Sequence, residues 1–135
     1  MKEWLLHAWD ILLRYGGAAA GFMGGGNTRV LLILMGMDYA TGLTLGLMGK
    51  SKKTKDGRLS ARASFHGLLK KAVMAGVIML SALLDQLAGQ EDLLRRAATG
   101  FYICNEGISL LENAALLGVP VPGKVRQALS VLQDG

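Results

Sequence analysis

The sequence predicts an all-α integral membrane protein, with three core transmembrane helices and a short C-terminal amphipathic helix. Its N-terminal segment reads as either an amphipathic or a fourth membrane helix. Three observations predict this fold class. Hydrophobic residues make up 51% of the 135 positions and charged residues 19%, below the roughly 25% of soluble domains. Nineteen glycines stand against two prolines, and glycine, a poor residue in soluble helices, is frequent in packed transmembrane ones. The net charge of +5 is gathered into one stretch between apolar segments. The length suits a single structural unit.

Residues 2–15 read as an amphipathic helix. Trp4, Leu5, Ala8, Leu12 and Leu13 recur at helical spacing, and Leu6, Trp9 and Ile11 broaden the face. Two tryptophans suit a membrane–water interface, where the ring is half apolar and half wet. A helix covering a soluble core is the alternative. His7, Asp10 and Arg14 interrupt the uninterrupted apolar run that a cleavable signal peptide needs, so no such leader is expected. Residues 16–27 follow, with Gly17, Gly21 and Gly25 at four-residue spacing. In lipid that spacing lets helices approach closely; a flexible hinge is the competing reading. A phosphate-binding loop is disfavoured, because Gly26 is followed by Asn27, Thr28 and Arg29 rather than by Lys and Ser/Thr.

Residues 30–48 form the first expected span, 19 residues with Asp38 as the one charge. On insertion scales about ten large apolar residues contribute roughly −4 kcal/mol and a central Asp costs about +3 kcal/mol. Gly36, Gly42, Gly46 and the threonines bring the sum near zero, so this helix needs partners in the bilayer. Gly42 and Gly46 are candidates for close helix contacts. Residues 50–71 read as a basic loop, with Lys50, Lys52, Lys53, Lys55, Arg58, Arg62, Lys70 and Lys71 opposed by Asp56 alone. These eight are expected to anchor a cytoplasmic face on anionic lipid, with Lys70 and Lys71 snorkelling from the next helix.

Residues 72–87 are the second span, free of charge until Asp85. Residues 89–92 make a short acidic turn. Residues 97–117 are the third span and carry Glu106 and Glu112. Tyr102, Asn105, Glu106, Ser109, Glu112 and Asn113 fall mostly on one stripe of that helix, with Cys104, Gly107, Ile108, Leu111 and Ala115 opposite. Ionisable residues inside spans are costly and usually paired or functional. Asp38, Asn105, Glu106, Ser109, Glu112 and Asn113 are therefore the candidates for polar packing or a water-facing lumen. Pro120 and Pro122 end the helix, and residues 124–132 return as a short amphipathic helix within a 123–135 tail.

Basic short loops stay cytoplasmic, which assigns residues 50–71 inside. Lys124 and Arg126 agree with the resulting orientation, whereas Arg95 and Arg96 at the outer end of the third span do not. Three spans leave residues 16–27 outside or in the outer leaflet; a fourth, from Trp4 to Met23, brings the N-terminus inside. The sequence is compatible with both.

No enzyme site, cofactor or metal is expected. His7 and His66 lack partners at zinc spacing, Cys104 has no histidine nearby, and no triad or nucleotide fingerprint is present. The basic loop lacks interleaved aromatics beyond Phe65, so nucleic acid is not an expected partner.

Met37-Asp38-Tyr39-Ala40-Thr41-Gly42, then Phe65-His66-Gly67-Leu68-Leu69-Lys70-Lys71, Leu84-Asp85, and the run from Phe101 through Asn105-Glu106-Gly107-Ile108-Ser109 to Asn113 occur in this order, before Gly118-Val119-Pro120-Val121-Pro122. The series resembles the toxin-secretion and phage-lysis holin family, over about residues 30–132. The resemblance implies a homo-oligomer of the bacterial cytoplasmic membrane that forms lesions. Through these an endolysin or a toxin cargo escapes, and an antiholin is a further partner. Two other classes stay open: a regulatory membrane subunit that opens nothing, and a soluble helical interaction module.

Overall fold

The computed structural model describes residues 2–7, 9–10 and 26–134. Residues 2–7 and 9–10 are helical, with Trp4, Leu5, Leu6 and Trp9 exposed. The remaining described chain forms α1 (Gly26–Leu47), α2 (Ala61–Ala88), α3 (Leu93–Leu116) and α4 (Gly123–Asp134), and no strand occurs among the described residues. The first three have 22, 28 and 24 residues, about 33, 42 and 36 Å at 1.5 Å per residue. Each is long enough to cross the ~30 Å hydrocarbon layer. Only α1 and α2 are also apolar enough to do so by composition. The expected third span is thus long enough but more polar than the other two.

The boundaries follow local chemistry. Ser60 caps α2, its hydroxyl accepting from the Ala63 N–H at 3.3 Å. That cap starts the helix inside the stretch expected to be loop, so residues 61–71 are three helical turns. A run of charge is compatible with helix, and the cap outweighs it. Gly89, at φ 67°, ends α2 in the left-handed conformation that glycine adopts without penalty. Asp92 precedes α3 but its side chain makes no cap. Asp85 takes over from α2: its two carboxylate oxygens accept from the Leu94 and Arg95 N–H groups, both at 2.9 Å. The orphan amides that start α3 are therefore satisfied across the turn, at a helix end that favours negative charge.

Fixed partners give the arrangement. Thr28 lies near Arg95 and Asp38 near Ser109 and Asn113, so α1 and α3 run parallel. Lys71 meets Asp38 and Glu106 while Asp85 meets the start of α3, so α2 runs antiparallel to both. α3 is the central helix, packing against α1, α2 and α4, whereas α1 and α2 touch little.

The buried positions repeat every seven residues. On α2 they are Lys71, Ile78 and Asp85; on α3, Thr99, Glu106 and Asn113. On α1, Leu31, Asp38 and Leu45 keep the same interval. Such a repeat is the seam of helices wound around one another in a left-handed sense. The apolar part of the seam is small: Leu31, Met35 and Ile78, backed by Leu32, Met74, Ala98, Tyr102 and Ile103. Most apolar side chains point outward. Only 6% of the most apolar stretch of α2 is buried, with Phe65, Val73, Leu80 and Leu87 among its exposed residues. Large continuous apolar surface of this kind marks contact with lipid or another chain.

Candidate functional site

A polar cluster joins all three long helices. Asp38 lies nine residues before the end of α1, Lys71 ten after the start of α2 and Glu106 ten before the end of α3. Their depth is therefore matched, about 14–15 Å from the helix ends next to the basic loop. The Lys71 ammonium donates to Asp38 Oδ2 at 2.9 Å and to Glu106 Oε2. Asp38 Oδ1 accepts from Ser109 Oγ at 2.7 Å and from Asn113 Nδ2 at 3.0 Å. Asn113 Nδ2 also reaches the Asp38 carbonyl at 3.2 Å and Thr41 Oγ1 at 2.9 Å. Thr41 in turn donates to the Met37 carbonyl at 2.8 Å. Each charge thus has an opposite charge and further hydrogen bonds, the condition under which ions persist away from water. Two carboxylates share one ammonium, so the cluster carries one formal negative charge in excess.

Gly42 lies beside this contact, but a Cβ there would stand 4.0 Å from Asn113 Nδ2, an ordinary distance, so the contact does not require glycine. Gly46 is tighter, with a Cβ meeting the Leu59 side chain and backbone at 3.0–3.2 Å. Of these two glycines, Gly46 packs against the loop rather than against another helix. Gly17, Gly21 and Gly25 lie outside the described residues.

Of the six polar candidates, Asp38, Glu106, Ser109 and Asn113 come together here. Glu112 is half exposed and pairs with Lys52 at 2.9 Å, whose ammonium also donates to the Ser109 carbonyl and hydroxyl at 3.1 Å. Asn105 faces outward, away from the cluster. Lys71 departs from its expected place among the eight anchoring cations. Its ammonium is held inside by two carboxylates, a stronger pull than a headgroup nearly three helical turns away. Lys50, Lys52, Lys53, Lys55, Arg58, Arg62 and Lys70 are exposed.

Farther along the seam, Thr28, Arg95 and Asp85 form a second polar layer beyond the apolar one. Between them Thr99 Oγ1 is buried without a hydrogen-bond partner among the described residues, as is Asn113 Oδ1. No group of His, Cys, Asp and Glu able to hold a metal ion occurs among the described residues. Lys71, Thr41 and Asp85 escaped the reading of the sequence. For Lys71 and Asp85 the signal is the seven-residue interval, which links them through Ile78 as it links Thr99 to Glu106 and Asn113; Thr41 carries no such mark.

Residues 18–134 match the model of the bacteriophage holin family. The chain belongs to that family. This holin-family protein is 36% identical over 132 residues to an uncharacterised 14.9 kDa protein encoded in the nagH 3′ region of Clostridium perfringens, a match covering 97% of this chain and 83% of the relative. It is 32% identical to an uncharacterised protein of Halalkalibacterium halodurans, covering 86% and 87% of the two chains. An uncharacterised Bacillus subtilis protein is also 32% identical, covering 87% and 84%. No solved structure matches. Membership and two apolar helices point to a holin-like role in a membrane rather than to an enzyme.

Proposed function

We propose that this holin-family protein crosses the bacterial cytoplasmic membrane three times, gathers with copies of itself, and opens lesions through which an endolysin or a toxin cargo leaves the cytoplasm. One observation carries the reading: a charged and hydroxyl-rich seam is enclosed by helices whose outer faces are apolar. An enclosed seam suits a resting protein, because lipid then meets mostly apolar side chains, with Asn105 the polar exception in the middle of α3. When helices separate, Asp38, Lys71, Glu106, Ser109 and Asn113 lose their partners and require water or a second copy. Copies arranged with these stripes inward would line a wet opening.

The third crossing follows from pairing. Alone, α3 would insert poorly because of Arg95, Arg96, Glu106 and Glu112. Lys71 offsets Glu106, and Lys52 offsets Glu112. With α1 and α2 in the bilayer and α3 packed between them at the same depth, α3 crosses as well. The basic loop then lies on the cytoplasmic side, where exposed cations meet anionic lipid.

Induced expression in a bacterium, with and without a cytoplasmic endolysin, tests the proposal. Loss of membrane potential on expression, with lysis only when the enzyme is present, is the expected result. Retained potential in both cultures would indicate a regulatory subunit, and release by carbonate washing a soluble module.

A further inference from the structure

Where α1 and α2 diverge, the loop between them folds over the gap and leaves a small open cleft. α1 contributes Tyr39, Gly42 and Leu43 to it, and α2 contributes Ala63, Ser64 and Gly67. The loop adds Ser51, Thr54 and two cations, Lys53 and Arg58. No acidic residue lines the cleft. The Arg58 guanidinium makes no hydrogen bond or ion pair among the described residues and Lys53 feels only the longer-range attraction of Asp38, whereas Lys52, the next residue, is fully engaged by Ser109 and Glu112. Lys53 Nζ hangs over Gly67, 3.7 Å from where a Cβ would stand.

The loop is shaped to hold these cations in place. Ser51 N–H donates to the Gly57 carbonyl at 2.9 Å, and Thr54 Oγ1 to the Arg58 carbonyl at 2.8 Å. Gly57 has φ 74°, and a Cβ there would stand 2.3 Å from the Gly49 carbonyl oxygen, so the closure requires glycine. The first turn of α2 adds the positive end of its dipole. A phosphate diester at the mouth of this cleft suits the chemistry: two cations, several hydroxyls and a helix start converge there.

We propose that the cleft binds the phosphodiester headgroup of an anionic phospholipid, one molecule per chain. The inference rests on the reading that the loop lies at the cytoplasmic headgroup level. A lipid fits better than free phosphate because of the cleft's depth and floor. Gly67 is six residues into α2 and Leu43 four from the end of α1, about 6–9 Å inward of the helix ends. At that level the exposed Leu47, Met48 and Leu68 offer the glycerol and acyl chains apolar surface to continue along.

The test uses the full chain purified in detergent micelles, with bound lipid counted by native mass spectrometry. Dioleoylphosphatidylglycerol is expected to saturate at one molecule per chain, and dioleoylphosphatidylcholine to bind more weakly. The double variant Lys53→Gln/Arg58→Gln should weaken phosphatidylglycerol binding by about tenfold or more. Lys50→Gln/Lys55→Gln removes the same charge outside the cleft and should stay within about threefold of the original. Both pairs are exposed, so folding is unaffected. Equal losses in the two double variants would overturn the proposal, leaving only diffuse attraction. Displacement of the lipid by excess inorganic phosphate would overturn the lipid as occupant. A chain that still lyses cells with endolysin yet shows no such site would sink this inference alone; a chain that never enters membranes would sink both readings.

Discussion

At the residue scale, Lys71 is the side chain on which the buried network turns. Replacing it with methionine leaves Asp38 and Glu106 facing each other without a cation. Breaking a buried ion pair by removing one partner costs about 3–5 kcal/mol. Lys71→Met should therefore markedly lower the thermal midpoint in detergent micelles. The triple change Asp38→Asn/Lys71→Met/Glu106→Gln removes every charge together and should recover most of that loss. A triple variant as unstable as the single one would show that the charges were not the cause. Glu106→Leu is milder, since it leaves the Lys71–Asp38 pair and removes the excess negative charge. It should shift the onset of lysis at equal expression; unchanged onset removes Glu106 from the opening step. Neither Lys71's burial nor its partners could be read from composition, because a lysine beside a basic loop has the same appearance in sequence whether it points to lipid or inward.

At the element scale, the turn between α2 and α3 depends on Asp85 acting as a cap at a distance. Asp85→Ala should cost about 1–2 kcal/mol, the range for losing a helix cap, while Asp85→Asn retains an acceptor and loses less. Amide exchange at Leu94 and Arg95 reads this directly, and unaltered protection in Asp85→Ala would contradict the assignment. The long helices were legible because helical stretches between breakers announce themselves, although only α1 and α2 are apolar enough to cross a membrane. Residues 97–117 were expected and α3 runs Leu93–Leu116; residues 30–48 were expected and α1 runs Gly26–Leu47. The start of α2 was less legible. Arg62, Lys70 and Lys71 read as loop by charge, and the Ser60 cap, a single hydroxyl, was too local a signal to weigh against them. In the candidate site, the stripe on α3 was legible from helical spacing, but Asn105 shares that stripe only roughly and ends up outside the contact.

At the scale of the whole molecule, more polar than apolar side chains are buried among the described residues and most apolar ones face outward, the reverse of a water-soluble bundle. In lipid that inversion is stable only while the seam is closed, since there is no hydrophobic drive holding one helix to the next. Packing, the Asp38–Lys71–Glu106 network and the Lys52–Glu112 tie to the loop do the holding. The Lys52–Glu112 pair is exposed, so Lys52→Gln should change stability by no more than about 1 kcal/mol. An effect as large as that of Lys71→Met would contradict the assignment of the holding role to the buried cluster.

In the proposed opening, the enclosed seam becomes the wet surface of the lesion. Thr99 reports on it most cleanly: it is buried on the seam, its hydroxyl has no partner among the described residues, and cysteine is close to it in size. In a Cys104→Ser background, Thr99→Cys should resist a membrane-impermeant thiol reagent before lysis begins and react once lesions open. Leu80→Cys, on the outer face of α2, should stay unreactive throughout. Thr99→Cys that remains protected while cells lyse, or that reacts from the outset, would contradict the claim.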